Sequence, residues 1–326
     1  MNKKKILICG ATGFIGRNVA ERFSKRENFE LSGTYFNSEP FENPRIKMIK
    51  ADLRKSKEVD KVVKGIDIIV QMAATTSGAK DINERPYIHV TDNAVMNSLL
   101  LRSAFENSIE HFIFPSCTVM YQPSNKPVKE TDFNENQRLI ENYFGVGNTK
   151  VYIEKMCEFF SKLGKTKHTV IRHSNIYGPH DKYDLEKSHV FGATMNKVMS
   201  TLSTYPIMER KQDTINVWGD GSEERDLLYV DDLVNFIELA INKQEKSYEL
   251  YNVGLGKATS VSSLVKKIKE EAGSNAKIKY DITKPTIKTT LCLDTEKAKR
   301  KLEWEPKISL DEGIKKTIDW YKENID

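Results

Sequence analysis

The stretch Gly10-Ala11-Thr12-Gly13-Phe14-Ile15-Gly16 decides how the rest of the sequence is interpreted. It follows an apolar run at residues 6–9 and precedes residues 17–23, which have helical spacing. The order is therefore strand, glycine turn and helix, the context of a dinucleotide-binding fingerprint. Glycines permit a tight turn and a close backbone approach, and the amides at a helix start attract phosphate. The spacing is G-x-x-G-x-x-G, and an ordinary glycine-rich turn is the alternative interpretation.

Strand and helix patterns alternate through the first half of the chain. Predicted strands lie at residues 29–36, 46–53, 66–74, 112–116 and 169–172, and predicted helices at 59–63, 87–107 and 150–162. Alternation of this kind predicts a parallel sheet with helices on both faces, which binds ligands at the carboxyl ends of its strands. The fold class is therefore α/β, a Rossmann-type doubly wound parallel sheet with a smaller mixed α/β substrate domain. Residues 1–173 are predicted to form the dinucleotide-binding domain, joined by part of 215–245, and residues 174–326 the mainly substrate-binding domain.

Composition argues against several classes of protein. The 326 residues carry a net charge of +5 spread over many lysines and glutamates, without the dense basic patch that nucleic-acid binding favours. The four cysteines are far apart and have no metal-ligand spacing, which predicts no metal site and favours a reducing cytoplasm. Only four apolar residues follow the basic start, too few for a signal peptide, and no run approaches the ~18 apolar residues of a membrane span.

Many short motifs occur in one order along the chain. They are the 10–16 loop, Asp52-Leu53, Ala73-Ala74, Asn93, the 116–121 segment, Lys150 with Glu154, Arg172, residues 175–179, Arg225-Asp226 with 229–232, residues 252–254, and Trp304 with Pro306. On these motifs the chain resembles the extended short-chain dehydrogenase/reductases, in the NAD-dependent epimerase/dehydratase family that acts on nucleotide sugars. Residues 177–181, 188–190, 217–219 and Lys284-Pro285 are most similar to the GDP-L-fucose synthases. There the Lys-Pro pair normally continues with Gly and Arg, whereas here it continues with Thr286 and Ile287.

The resemblance implies a set of binding residues. For the cofactor they are Gly10, Thr12, Gly13, Phe14, Ile15, Gly16, Asp52, Leu53, Ala73, Ala74, Asn93 and Lys150. For the nucleotide sugar, a GDP-sugar by resemblance, they are Asn175, His189, Trp218, Arg225 and Lys284, although Trp218 is expected more often as a core residue. A homodimer through the helices near residues 93–106 and Lys150 is also implied.

The choice between NADP and NAD rests on the end of the second strand. Residues 34–37 contain no aspartate to select the ribose hydroxyl of NAD. The arginines expected for a ribose phosphate are also missing there, and Arg17, Arg45 or Lys50 are the substitutes. We favour NADP slightly.

The catalytic pattern departs from the family at two places. A tyrosine should precede Lys150 by four residues to accept the proton of the sugar hydroxyl, but Val146 stands there. Because residues 145–147 make a poor helix start, we expect a loop to bring Tyr143 in as the base. Cys117 occupies the place of the Ser/Thr hydroxyl, with Ser116 and Thr118 as alternatives.

Epimerisation in the fucose synthases also uses a cysteine and a histidine. His189 matches the histidine, but Val119 stands at the cysteine position, so Cys117 is the nearest replacement. The first hypothesis is an enzyme that acts on a nucleotide-linked sugar, at C4, as an epimerase, dehydrogenase or 4-keto reductase for surface polysaccharide or glycoconjugate synthesis. The alternative is a catalytically retired protein that only binds cofactor or nucleotide sugar.

Overall fold

A seven-stranded parallel sheet forms the centre of the computed structural model, which describes residues 3–76, 85–185, 188–202, 213–284 and 289–325. Its strands are β1 (Lys4–Cys9), β2 (Phe29–Tyr35), β3 (Ile46–Lys50), β4 (Ile68–Gln71), β5 (His111–Pro115), β6 (Lys167–His173) and β10 (Tyr248–Val253). The spatial order is β10-β6-β5-β4-β1-β2-β3, and every pairing is parallel. The order reverses between β1 and β4, so a crevice opens at the carboxyl ends of these strands.

Helices cover both faces of this sheet. The helices of the described residues are α1 (Phe14–Ser24), α2 (Ser56–Val63), α3 (Thr91–Glu106), α4 (Phe144–Leu163), α5 (Val190–Met199), α6 (Val230–Lys243), α7 (Val261–Ala272), α8 (Glu296–Leu302) and α9 (Leu310–Asn324). One buried cluster joins α1, α6 and α8 to the sheet, and a second joins α2, α3 and α4 to the other face. The doubly wound prediction is therefore confirmed.

A smaller lobe is built from the second half of the chain. Strands β7 (Asn175–Tyr177), β9 (Glu224–Tyr229) and β11 (Ala258–Ser260) form one sheet, and β8 (Thr214–Trp218) with β12 (Lys277–Asp281) another. Side chains of α5, α7 and α9 form the core of this lobe. The two lobes are interleaved, because α6 packs against α1 and β10 pairs with β6. β10 lies outside the ranges predicted for the dinucleotide-binding domain.

The predicted elements differ from the observed ones mainly at their ends. Helix α4 begins at Phe144, six residues before the predicted start, so the expectation of a loop at residues 145–147 is wrong. The hydroxyl of Thr149 donates to the Gly145 carbonyl oxygen within this turn. Strands β7, β9 and β11 and helix α8 were not predicted. Within the described ranges, every helix is too short or too polar to cross a membrane.

Candidate active site

The glycine stretch forms the turn between β1 and α1. Gly10 has φ +68°, and a Cβ atom there would lie 2.6 Å from the Ala73 Cα atom. A Cβ atom on Gly16 would lie 2.1 Å from the Gly10 carbonyl oxygen. Both positions therefore require glycine, and Gly13 is the N-cap of α1. The turn leaves the backbone N–H groups at the start of α1 without helical partners, which suits a pyrophosphate.

The ends of β3 and β4 complete the cofactor side. Ala73 contacts the glycine turn, and Ala74 is exposed beside it. The Asn93 side chain accepts a hydrogen bond from Thr75 N–H at 3.0 Å and donates to the Thr75 carbonyl oxygen at 3.0 Å. Asn93 is buried and holds the segment after β4, and its predicted contact with the cofactor stays a prediction. Leu53 is buried next to Asp52.

Two arginines near the end of β2, Arg54 and Arg17, are already paired. Arg54 binds Asp52 at 2.8 Å and Asp92 at 3.0 Å, and this pairing lowers the pKa of Asp52. Arg17 pairs with Glu21 at 2.5 Å. Because Arg17 is already ion-paired, it adds no support for NADP, and the preference for NADP stays a prediction.

Lys150 projects from α4 toward the carboxyl end of β5. Its ammonium group donates to the Pro115 carbonyl oxygen at 2.8 Å and lies 4.8 Å from the Phe114 ring centroid. Burial lowers the pKa of Lys150, and the neighbouring Cys117 and Glu154 groups oppose that shift. Burial raises the pKa of the Cys117 thiol, and Lys150 opposes that shift in turn. The structure therefore brings Lys150 and Cys117 together.

Tyr143 lies at the N-cap of α4, and Val146 lies in the first turn of that helix. Tyr143 lines a cavity of about 90 Å³ with Thr118, Asn175 and Arg225. Burial raises the pKa of Tyr143, and the positive charge of Arg225 opposes that shift, with Cys117 also in electrostatic range. Tyr143 thus faces the same space as Arg225 and Thr118, and Cys117 lies nearby, although α4 starts earlier than expected.

Ser116 differs from its two neighbours, because it is fully buried. Its hydroxyl donates to the Glu154 carboxylate at 2.5 Å. The same carboxylate receives the guanidinium of Arg172 at 2.6 Å. Arg172 also donates to the Tyr121 hydroxyl at 3.0 Å. The expectation that the Ser116 hydroxyl contacts substrate is wrong for this conformation, since burial and Glu154 occupy it. Cys117 and Thr118 remain as candidates.

Several of the residues predicted to bind substrate lie on the smaller lobe. Asn175 donates to the Asp226 carbonyl oxygen at 3.2 Å, and Arg225 donates to the Thr289 carbonyl oxygen at 2.9 Å. Burial lowers the pKa of Arg225. His189 is exposed at the N-cap of α5.

Trp218 is 50% exposed, so the prediction that it is a core residue is wrong. The reason is its place at the end of β8, where Val217 points inward and Trp218 outward. The ammonium groups of Lys197 and Lys284 lie 5.8 and 5.9 Å from its ring centroid. Pro285 to Lys288, which carry the rest of the Lys-Pro segment, lie outside the described residues.

Three polar residues beside the candidate site residues were given no site role from the sequence, His173 among them as a structural or rim residue. Lys197 comes from α5, and Glu223 directly precedes β9. His173 ends β6, and its Nδ1 atom lies 2.7 Å from the Ser174 carbonyl oxygen. Burial lowers the pKa of His173 to about 4. The position of His173 directly after Arg172 at a strand end was the signal available in the sequence.

Comparisons with known proteins agree with this geometry. A model of the NAD dependent epimerase/dehydratase family matches residues 6–254. The GDP-L-fucose synthase of Azorhizobium caulinodans is 25% identical over 98% of this chain and 96% of its own length. The GDP-L-colitose synthase of Yersinia pseudotuberculosis is 25% identical over 97% of each chain. The crystal structure of a UDP-glucose 4-epimerase with UDP-glucose from Thermotoga maritima covers 99% of this chain and 100% of that chain, with 26% identity and a TM-score of 0.85.

Proposed function

The chain belongs to the NAD dependent epimerase/dehydratase family, and from this premise we propose how its site works. The protein is an NAD(P)-dependent enzyme that modifies a nucleotide-linked sugar by redox chemistry, and modification at C4 fits its relatives. The alternative of a retired binding protein has no support, because the relatives are named as enzymes. The observation that carries the proposal is the placement of Lys150 and Cys117 at the sheet edge that also bears the glycine turn.

The glycine turn fits the pyrophosphate of the cofactor. Its support is steric, because Cβ atoms at Gly10 and Gly16 would fill the space of the turn. We assign the backbone amides of Phe14 and Ile15 to the pyrophosphate, since the Gly13 amide donates to the Gly10 carbonyl oxygen, and Asp52-Leu53 to the adenine side. Lys150 is assigned to the nicotinamide ribose. NAD or NADP bound there supplies the hydride acceptor or donor for the sugar carbon, and both cofactors remain compatible with the site.

Oxidation of a sugar carbinol also releases the hydroxyl proton, and this chain must accept it without a tyrosine at Val146. We assign the proton to Tyr143, because Arg225 favours its ionised form and Cys117 is near. Bound nicotinamide adds a further positive charge that favours tyrosinate. Cys117 or Thr118 is assigned the hydrogen bond to the sugar oxygen. His189 is assigned the second acid–base position that epimerisation needs.

Substitution at Tyr143 tests the proton acceptor. Tyr143→Phe removes only the hydroxyl, and kcat is expected to fall by about 10²–10⁴-fold, the usual effect of losing a general base. Tyr248→Phe is the matched control, since Tyr248 begins β10 at the opposite edge of the sheet. Near-normal turnover of Tyr143→Phe, with Cys117→Ser impaired, would move the base to Cys117.

The substrate class is tested with purified protein and GDP-, UDP-, CDP- and dTDP-sugars. An epimerase converts a sugar nucleotide without net change in absorbance at 340 nm, whereas a reductase consumes NAD(P)H. Products are separated by chromatography. Absence of turnover with every sugar nucleotide and either cofactor would contradict the proposed function.

A GDP-sugar is the proposed substrate. Support comes from the fucose and colitose synthases among the relatives and from the half-exposed Trp218 between two lysines. An exposed indole offers a stacking surface for a base, and Arg225 offers a fork for the diphosphate. Asn175 and Lys284 are assigned to the same ligand. The GDP-L-fucose synthase and the UDP-glucose 4-epimerase both resemble this chain, so tests with GDP and UDP decide the base.

A homodimer and a cytoplasmic location are also proposed. The outer faces of α3 and α4 expose apolar side chains, among them Val95, Phe105, Phe159 and Leu163. Such a patch on a soluble protein commonly marks an interface. Light scattering should give a dimer, and Phe159→Glu should give a monomer while Ile282→Glu, on the other lobe, should not. A monomeric wild type contradicts the dimer. The four free cysteines fit a reducing compartment.

A further inference from the structure

Glu223 is a buried carboxyl group with no visible partner. The residue is 5% exposed and lies directly before β9. Neither Oε1 nor Oε2 has a hydrogen-bond partner within the part of the chain that the structure describes. Leaving a buried polar group without a hydrogen bond lowers the free energy of unfolding by about 1–3 kcal/mol, and a charged carboxylate costs more. Such a group in a native protein calls for an explanation such as a ligand.

The position of Glu223 relates it to the substrate cleft. Side chains alternate along a strand, so Glu223 and Arg225 lie on one face of β9 and Glu224 on the other. Arg225 lines the cavity next to Tyr143. Glu223 is close enough to Arg225 that its negative charge opposes the lowering of the Arg225 pKa by burial. Glu223 lies about 7 Å from Arg225 along the strand, at 3.3 Å per residue, and is not among the described residues that line the cavity.

The turn before Glu223 connects it to Trp218. Gly219 and Gly221 have φ +73° and +74°, which permits the tight connection between β8 and β9. Trp218 therefore stands at one end of this turn and Glu223 at the other. A nucleotide sugar with its diphosphate at Arg225 and its base at Trp218 has its nucleoside half beside Glu223.

The chemistry of Glu223 limits what it can bind. Its two oxygens accept hydrogen bonds and donate none, so they match two adjacent N–H or O–H donors. A phosphate is excluded by like charge. The nucleoside half offers two such donor pairs: N1–H with the 2-amino group of guanine, and the vicinal hydroxyls of ribose. Uracil offers one N–H between two acceptors.

We infer that the Glu223 carboxyl group recognises the nucleoside half of the nucleotide sugar by accepting hydrogen bonds from an adjacent pair of donors. This inference rests on the proposed function. The group is a positioning and specificity residue, since it lies away from the reacting sugar. The two oxygens of the Glu223 carboxyl group accept hydrogen bonds only when the nucleotide is bound.

Calorimetric titration of the protein with bound NAD(P) tests the inference. GDP, IDP, UDP and 2′,3′-dideoxy-GDP are titrated into wild type, Glu223→Gln and the control Glu224→Gln. Glu223→Gln should weaken GDP binding at least about tenfold, the loss expected from one or two charge-assisted hydrogen bonds. Glu224→Gln should change it by no more than about twofold. NAD(P)H affinity should be unchanged in both variants.

The analogues identify which donors Glu223 recognises. If wild type binds IDP more weakly than GDP and Glu223→Gln does not discriminate, the donors are on guanine. If the wild type binds 2′,3′-dideoxy-GDP more weakly than GDP and Glu223→Gln binds the two equally, the donors are the ribose hydroxyls. A second readout is stability: without nucleotide, Glu223→Gln should melt at the same or a higher temperature, because it replaces a buried unpaired carboxylate by a neutral amide.

If Glu223→Gln binds GDP and UDP as tightly as the wild type does, the inference is overturned and a buried water is left as the partner of Glu223. In that case turnover of a sugar nucleotide by the wild type still upholds the proposed function. Failure of the wild type to bind any nucleoside diphosphate and to turn over any sugar nucleotide overturns both.

Discussion

Replacing Glu154 with glutamine removes one charge from the buried network beneath the candidate site. The Glu154 carboxylate accepts hydrogen bonds from Ser116 at 2.5 Å and from two nitrogens of Arg172 at 3.1 and 2.6 Å. Both side chains of the ion pair are 4% exposed. Glutamine has nearly the same shape, so the substitution changes charge and hydrogen bonding and leaves no cavity.

The magnitude follows from the burial of Arg172. An amide NH2 group replaces one oxygen of the carboxylate. This group donates hydrogen bonds, so it faces the Arg172 guanidinium without accepting from it. Arg172 keeps its charge and loses its counterion, and breaking a buried pair in this way costs about 3–5 kcal/mol. At about 2.1 cal/mol/K of unfolding entropy per residue, this free energy corresponds to a fall in Tm of roughly 4–8 °C for the chain.

Glu110→Gln is the matched control, since the Lys4–Glu110 pair has a similar distance of 2.6 Å but side chains 48% and 53% exposed. An exposed pair contributes at most about 1 kcal/mol. Thermal unfolding by circular dichroism and urea titration at pH 7 measure both variants. If Glu154→Gln lowers the free energy of unfolding by less than about 1 kcal/mol, or by no more than the control does, burial does not decide how much an ion pair contributes to stability.

Three further substitutions test other features of the structure. Gly16→Ala places a Cβ atom 2.1 Å from the Gly10 carbonyl oxygen, so NAD(P)H affinity by fluorescence titration should fall at least about tenfold; unchanged affinity contradicts the glycine assignment. Burial raises the pKa of Asp181 to about 7, so its contribution to stability is present below about pH 4 and is lost as pH rises through 7. Asp181→Asn should therefore match wild type in Tm at pH 4 and exceed it at pH 8, by roughly 1–3 kcal/mol of stability, and equal stability at both pH values would rule this out. Trp218→Ala should leave the free energy of unfolding within about 1 kcal/mol of wild type and weaken nucleotide binding about tenfold; wild-type affinity would place the base elsewhere.

The fold was accessible from sequence because its signals are local. The glycine turn, the alternation of strand and helix, and the positions of most of the first six sheet strands follow from periodicity and turn chemistry over windows of ten to twenty residues. The pattern failed where tertiary packing overrides propensity. Two glycines in residues 145–147 predict a loop, yet α4 runs through them from Phe144.

The candidate site was accessible in part. Lys150, Cys117 and Tyr143 were named from the chain, and the structure brings them to one edge of the sheet. The environment of each could not be predicted, because burial and partners come from distant segments. Ser116 shows this, since its hydroxyl is occupied by Glu154, 38 residues away.

The sequence by itself determined the Rossmann-type sheet, the cofactor turn and the residues that depart from the family at Val146 and Cys117. Tertiary structure alone decided that Trp218 faces outward, that Tyr143 and Arg225 line one cavity, and that the Glu223 carboxyl group is buried with no hydrogen-bond partner among the described residues. The physical reason is that turn chemistry and periodicity depend on neighbours along the chain. Burial, electrostatic range and hydrogen-bond partners depend on which distant segments pack together.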